Sequence, residues 1–426
     1  MESLPVELIR LIFGHCVSSS VRNLREVNHL YADVGYEYLL GRQFTSIGWG
    51  KDINNLHNIA HHERLRPYIH QVVLNFSEVD EYYARHTTYF RHFTEDREAL
   101  AERMRSAYSQ YSDLYEHVRV DGELSDQYSM LKDALCQLPN LNEVEVAFTR
   151  APFNNDILKE IYEVPACRKL DHKKAADYLN AIISALNEGR IEKLIVDWFP
   201  FELFRHPEHR RHWFRFENSL DNLRHLDLII DPELTAEAPH TQLVAINGLG
   251  RILRVCKNLT SLALAFRNGR RPRMKTRIWF SELIGDDYTY PELTDLKLEG
   301  MSCAEGDLSE FLVRHAPTLK RLRLGGRGLA KPEEPSMGGM MLGRGQWRYL
   351  FDTLRKGMTS LEKLHLEGDF VSLNHQNPRH EAYIFHPTTD GAWNEADPPW
   401  RNRSPGIDSV EFERFVLEGG TYPGCP

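Results

Sequence analysis

The chain has 426 residues, 42% of them hydrophobic and 11% aromatic, which suits two or three compact domains or one elongated array with a sizeable core. Its 52 Lys and Arg against 61 Asp and Glu give a net charge of −9, which excludes a chain-wide basic surface for nucleic acid or anionic lipid. No stretch approaches the ~18 consecutive apolar residues of a membrane span, and the first residues have neither the basic nor the apolar region of a signal peptide. The first feature in chain order is Leu4-Pro5-Val6-Glu7-Leu8-Ile9-Arg10-Leu11-Ile12-Phe13. Pro5 is a helix-start signal, and Glu7 falls where the positive end of the helix dipole favours a carboxylate. Leu8, Leu11 and Ile12 recur at helical spacing, followed by the series Val21, Leu24, Val27, Leu30 and then Tyr31, Val34, Tyr38, Leu39. Three short amphipathic helices cannot bury all of that apolar surface among themselves, so something else must cover the rest.

Leu4-Pro5-x-Glu7-Leu8-x-x-x-Ile12-Phe13, followed by Leu24-x-x-Val27-Asn28-x-x-Tyr31, resembles an F-box. The resemblance spans residues 1–42. It departs from the family at Asn23, where many members carry an acidic residue, and at Tyr31-Ala32-Asp33, where a basic, tryptophan-containing segment is usual. The resemblance implies docking on the Skp-type adaptor of a cullin–RING ubiquitin ligase through Leu4, Pro5, Glu7, Leu8, Ile12, Phe13, Leu24, Val27 and Tyr31. The plainer reading is a helical cap on a larger domain.

Residues 43–130 read as a linker region with a first irregular repeat. A glycine-containing joint runs from Leu39 to Trp49, and Ile69-x-x-Val72-x-Leu74 alternates like a strand. An aromatic-rich stretch with Tyr82, Tyr83, Tyr89, Phe90 and Phe93 follows. From 131 to 426 one pattern returns: an apolar residue, two others, an apolar residue, one other, an apolar residue. It begins at Leu141, Ile191, Leu223, Leu259, Leu293, Leu319 and Leu361, and more weakly at Ile407. Successive starts lie between 26 residues (319 minus 293) and 50 residues (191 minus 141) apart. The alternating end of each copy predicts a short strand with one buried face, and helix-like stretches lie between copies, as at 175–186, 243–255, 308–314 and 347–354. A strand, a turn and a helix repeated in this way form units that bury their faces only against neighbours. The copies resemble the irregular leucine-rich repeats found downstream of F-boxes in many fungal proteins. The expected fold class is α/β: a three-helix F-box followed by a leucine-rich-repeat (RNI-like) strand–helix solenoid with long inserted loops. The insertions are expected near 267–277 (basic), 325–345 (rich in glycine and methionine) and 369–405 (rich in His and Pro, with Trp393 and Trp400).

The chemistry-bearing patterns are few. No phosphate-loop ending, GxGxxG helix opening or GxSxG elbow occurs, so no catalytic residues, cofactor or metal are expected. Cys16, Cys136, Cys167, Cys256, Cys303 and Cys425 stand apart with no CxxC pair, as in a reduced intracellular protein of cytoplasm or nucleus. His57 and His61 have helical i, i+4 spacing and His206, His209 and His212 cluster, but neither set has the glutamate of HExxH, so a surface helix is the reading. Residues flanking the last two apolar positions of each copy point to the open face of the array. They give an expected substrate face of Lys193, Asp197, His225, Asp227, Asp295, Lys297, Arg321, Arg323, Lys363, His365 and Glu367. Small residues lie between them at Ser261 to Ala265, and Glu143, Glu145, Glu299, Glu411 and Glu413 extend the series. A face of mixed sign suits a protein or peptide rather than nucleic acid. Together the two parts imply a substrate-recognition subunit of an SCF-type ubiquitin ligase that does no bond chemistry itself. A protein-binding scaffold that does not promote ubiquitination, and an enzyme with a site hidden in the loops, are the alternatives.

Overall fold

The leucine spacing sets the sheet. Each copy's last two apolar positions sit on one face of a strand, and the strands align so that these positions form continuous rows. Val72, Val144, Leu194, Leu226, Leu262, Leu296, Leu322 and Leu364 are register partners along one row, all buried. Leu74, Val146, Val196, Leu228, Leu264, Leu298, Leu324 and Leu366 form the next. Full burial of each such side chain contributes about 1.5–3 kcal/mol before chain entropy is counted. The computed structural model describes residues 4–46, 51–80, 98–99, 101–106, 108–109, 124–151, 159, 168–186, 191–204, 220–233, 239–267, 275–285, 288–328, 338–373, 382–386 and 407–424.

Three helices come first, α1 (Val6–Gly14), α2 (Ser18–Arg25) and α3 (His29–Leu39). Then β1 (Gln43–Ser46), α4 (Lys51–His61), β2 (Gln71–Asn75), α5 (Leu124–Gln137), β3 (Glu143–Ala147), α6 (His172–Ala185) and β4 (Lys193–Pro200) alternate strand and helix. The alternation continues through β5 (His225–Asp231), α7 (Pro239–Val255), β6 (Ser261–Phe266), β7 (Thr276–Arg277), α8 (Phe280–Leu283), β8 (Asp295–Glu299), β9 (Met301–Ala304) and α9 (Glu305–Arg314). It ends with β10 (Arg321–Gly325), β11 (Met341–Arg344), α10 (Trp347–Gly357), β12 (Lys363–Ser372), β13 (Ala382–His386), β14 (Ile407–Asp408) and α11 (Ser409–Glu418). The protein is α/β, with an open sheet of fourteen strands among the described residues, ordered β1-β2-β3-β4-β5-β6-β8-β10-β12 and then β11-β9-β7. Among the described strands the pairings are parallel except β12 with β13. Consecutive helices touch one another (α4 with α5, α5 with α6, α9 with α10, α10 with α11), so the helices line one side of the sheet.

A hydrogen-bond relay at the start of each strand keeps the units in step. The carbonyl of Asn142 accepts from the N–H groups of Glu192 and Lys193, that of Glu192 from Arg224 and His225, and that of Arg224 from Thr260 and Ser261. The Thr260 and Thr294 carbonyls repeat the arrangement, and side chains add to it: the Thr294 hydroxyl donates to the Thr260 carbonyl at 3.1 Å, and the Asn258 amide to Asp221 at 2.6 Å. Polar residues in these turns are thereby satisfied inside the stack.

Three expectations change. Ile407 to Phe412 is not an eighth copy: Ile407–Asp408 is a two-residue strand, and Ser409 begins α11, whose Phe412 packs on Phe351, Tyr383 and Phe385. Glu411 and Glu413 therefore lie on a helix. The joint after α3 holds strand β1, because Phe44 and its neighbours pair with β2 and start the sheet. The insertions are partly strands: β7 ends the basic segment, β11 ends the glycine-rich one, and β12 runs on past Gly368 to pair with β11 and β13. Residues 268–274, 329–337, 374–381 and 387–406, with Trp393 and Trp400, lie outside the described residues, as do 81–97 with their five aromatic residues and the histidines at 206, 209 and 212. No helix among the described residues is long and apolar enough to cross a membrane.

Candidate functional site

Two surfaces carry the candidate residues. The first is the N-terminal module. Asn28 caps α3, its side chain accepting the Tyr31 N–H at 2.8 Å, and Glu7 stands in the first turn of α1. Ile9, Phe13, Val21 and Val34 form a small separate core, onto which Val6, Leu24, Tyr31 and Tyr38 pack. Phe13 stacks on Tyr38 and meets Tyr31 edge-on at 6.0 Å. That core uses the inner face of α1 and leaves the outer face bare. Leu8 (47% exposed), Leu11 (62%) and Ile12 (44%) lie along it with Leu4. Val17 and Val27, between the helices, and Leu30, in the first turn of α3, are exposed in the same module. Seven of the twelve exposed large hydrophobic residues among those described thus fall within the first thirty positions, whereas a folded surface normally scatters them.

Of the residues assigned to a docking face, Leu4, Pro5, Glu7, Leu8, Ile12 and Val27 are exposed. Phe13 is buried in the module's core, and Leu24 and Tyr31 are half-buried against it, so these three build the face instead of forming it. Ile9 was missed as a core residue because its neighbours on both sides are apolar and the helical period alone does not say which stripe faces inward. The module is fixed to the array by Arg64, which pairs with Asp33 at 2.8 Å and lies 4.0 Å from the ring centre of Tyr36.

The second surface is the sheet face away from the helices, where two mostly polar rows run across the strands. In the first, Glu143, Lys193, His225, Ser261, Asp295, Arg321 and Lys363 are register partners. Neighbours in this row pair: Lys193 with Glu143 at 3.0 Å, and Arg321 with Asp295. The second row is Glu145, Ile195, Asp227, Ala263, Lys297, Arg323 and His365. Where this row crosses β4, β5 and β6, the small side chains of Ala263 and Ser261 leave a depression of about 340 Å³. Glu143, Lys193, Ile195, His225 and Asp227 line it. Burial pushes the Asp227 carboxyl up from the ordinary carboxylate range, and Lys297 and Arg267 oppose the shift.

At the C-terminal end the same face is closed. Arg323, His365 and Glu367 are buried, with Arg323 donating to Glu367 at 2.7 Å and His365 Nε2 3.4 Å from the same oxygen. Glu299 is fully buried, held by Lys297 at 3.2 Å, Arg267 at 3.7 Å and the Gly328 N–H at 2.7 Å. Burial pushes its carboxyl up, but the two cations and the N–H outweigh that and leave it below the usual range. The cover is the two described ends of the glycine-rich insertion: a Cβ at Gly326 or Gly338 would run into the Glu299 carboxylate. Arg323, His365 and Glu367 are therefore structural ion-pair residues, not an open substrate face. Asp197 is likewise occupied: it accepts from the Phe148 and Thr149 N–H groups (2.6 and 3.0 Å) and the Thr149 hydroxyl, tying β3 to β4. Lys193, His225, Asp227, Asp295, Lys297, Arg321 and Lys363 remain, and the first three are brought together at the depression.

No family model matches the chain, and no curated protein matches it.

Proposed function

We propose that the chain is a substrate-recognition subunit of an SCF-type ubiquitin ligase, with residues 1–42 acting as an F-box and the strand–helix units acting as an irregular leucine-rich-repeat array. The observation that carries the reading is the concentration of exposed apolar side chains on the first three helices. A module whose four-residue core is already closed has no internal use for Leu4, Leu8, Leu11 and Ile12. Covering them with an apolar partner face contributes about 25 cal/mol per Å² removed from water, enough for the adaptor contact that the sequence motif implies. The array then presents its open polar face to a substrate protein, and ubiquitin transfer follows from proximity to the ligase's charged enzyme. The chain itself performs no bond chemistry in this reading.

The depression at Asp227 gives the array a specific anchor for a segment of the substrate. Its partly desolvated carboxyl suits a cationic side chain, and the walls at Lys193 and His225 select against a second one nearby. The test is co-purification from cells of the chain's origin. Wild-type protein should carry the adaptor, the cullin and ubiquitinated clients. Ala263→Trp, which fills the depression, should keep the adaptor and lose clients. Retention of clients by that variant would remove the depression from the account. Recovery of adaptor without ubiquitinated clients in the wild type would favour a scaffold instead.

A further inference from the structure

The helical histidine pair and a distant carboxylate come together at the joint between the first two units of the array. His57 and His61 lie one turn apart on α4, and Asp133 faces them from α5, 76 residues further along from His57. His57 Nε2 is 3.1 Å from Asp133 Oδ2, and His61 Nε2 is 3.0 Å from the same oxygen. All three donor atoms lie within 4.8 Å of one another. His61 Nδ1 lies 2.9 Å from the His57 carbonyl, so that nitrogen carries the proton and donates it. The Nε2 of a neutral His61 ring then presents a lone pair, not a proton, toward the Asp133 carboxylate. A backbone carbonyl that fixes the tautomer in this way is the usual outer partner of a metal-bound histidine.

We propose that His57, His61 and Asp133 bind a divalent transition-metal ion of the zinc class. Two nitrogens and one carboxylate oxygen are a donor set such ions accept, with bonds of about 2.1 Å. At a tetrahedral angle those bonds separate the donors by about 3.4 Å. The nitrogen–oxygen separations found here are only a few tenths of an ångström shorter, a gap that side-chain rotation closes. The two ring centres lie 4.1 Å apart, and both rings direct a nitrogen at one carboxylate oxygen. One ion between these atoms engages both nitrogens and the oxygen at once. All three side chains are part-exposed, so the remaining coordination position is open to water and the ion enters without unfolding. The site links α4 to α5 and thereby clamps the first unit, to which the N-terminal module is joined through Arg64.

Zinc is the probe. Full-length protein is stripped with a chelator, desalted and titrated with Zn²⁺ by calorimetry. One equivalent should bind, and His61→Ala and Asp133→Asn should each weaken it by at least about tenfold. His206→Ala, His209→Ala and His212→Ala together should leave that equivalent in place, which separates the site from the other histidine cluster. Zinc should also raise the melting temperature of the wild type and not that of His61→Ala, with circular dichroism confirming that each variant is folded. Absence of binding, or binding of one equivalent that survives both His61→Ala and Asp133→Asn, would overturn the assignment.

Discussion

Glu299→Gln removes one negative charge from the most deeply enclosed ionic cluster on the sheet while keeping the side chain's shape. Its Oε1 can still accept the Gly328 N–H, so what is lost is the attraction of Lys297 and Arg267. Removing one partner from a fully buried pair costs about 3–5 kcal/mol. Both cations here are roughly a quarter exposed and regain hydration, which brings the expected loss down to about 2 kcal/mol. The sign with pH follows from the lowered folded pKa of Glu299. Its contribution is present above the unfolded value, about 4.3, and is lost as pH falls through the folded one. Urea unfolding is followed by tryptophan emission, which reports on Trp347, buried in the same half of the array. The wild type should exceed Glu299→Gln by about 2 kcal/mol at pH 7, with the gap closing toward pH 3. An equal gap at both values would mean that the loss comes from packing, and the electrostatic account of the closed end would fail.

Other consequences are read as simply. Leu322→Ala, between Leu296 and Leu364 in the core row, should cost about 2–5 kcal/mol in the same assay, whereas Lys363→Ala on the exposed row should stay within about 0.5. Burial lowers the His172 pKa, but the hydrogen bond to Asp231 at 3.0 Å outweighs it and leaves the pKa raised. The stability from that pair should be full below about pH 6.5 and lost as pH rises through the folded value, and Asp231→Asn should flatten this dependence in melts from pH 5 to 8. Burial pushes the Cys256 thiol up to about 12 and Cys303 higher still, so a thiol-specific reagent at pH 8 should leave both intact until denaturant is added, as peptide mapping would show.

The units were legible because each rests on three apolar residues at fixed spacing, a pattern that register pairing converts directly into rows. Their tight ends were not. Glu299 occupies the same alternating position as exposed residues, and Gly326 and Gly338, packed against its carboxylate from beyond the next strand in the chain, help to take it out of solvent. The same limit applies to α1, where helical period marks Leu8, Leu11 and Ile12 as apolar but cannot tell an inner stripe from an outer one. Asp133 carries no signal of its relation to His57 and His61, since the pairing is made by helix packing across 76 residues. Ile407 to Phe412 misled because a two-residue strand running into an amphipathic helix repeats the apolar spacing of the units by coincidence.

The central claim is that the bare face of α1 is a docking face. It is tested most directly by measuring the affinity of the purified protein for a Skp-type adaptor, wild type beside Leu8→Asp with Ile12→Asp. Both side chains are exposed, so the double variant should fold and melt as the wild type does. Two carboxylates pressed into an apolar interface cost at least several kcal/mol, so binding should fall by more than about 100-fold. Adaptor binding that is absent in the wild type, or unchanged in the folded double variant, would contradict the account and leave the first three helices as a cap on the array.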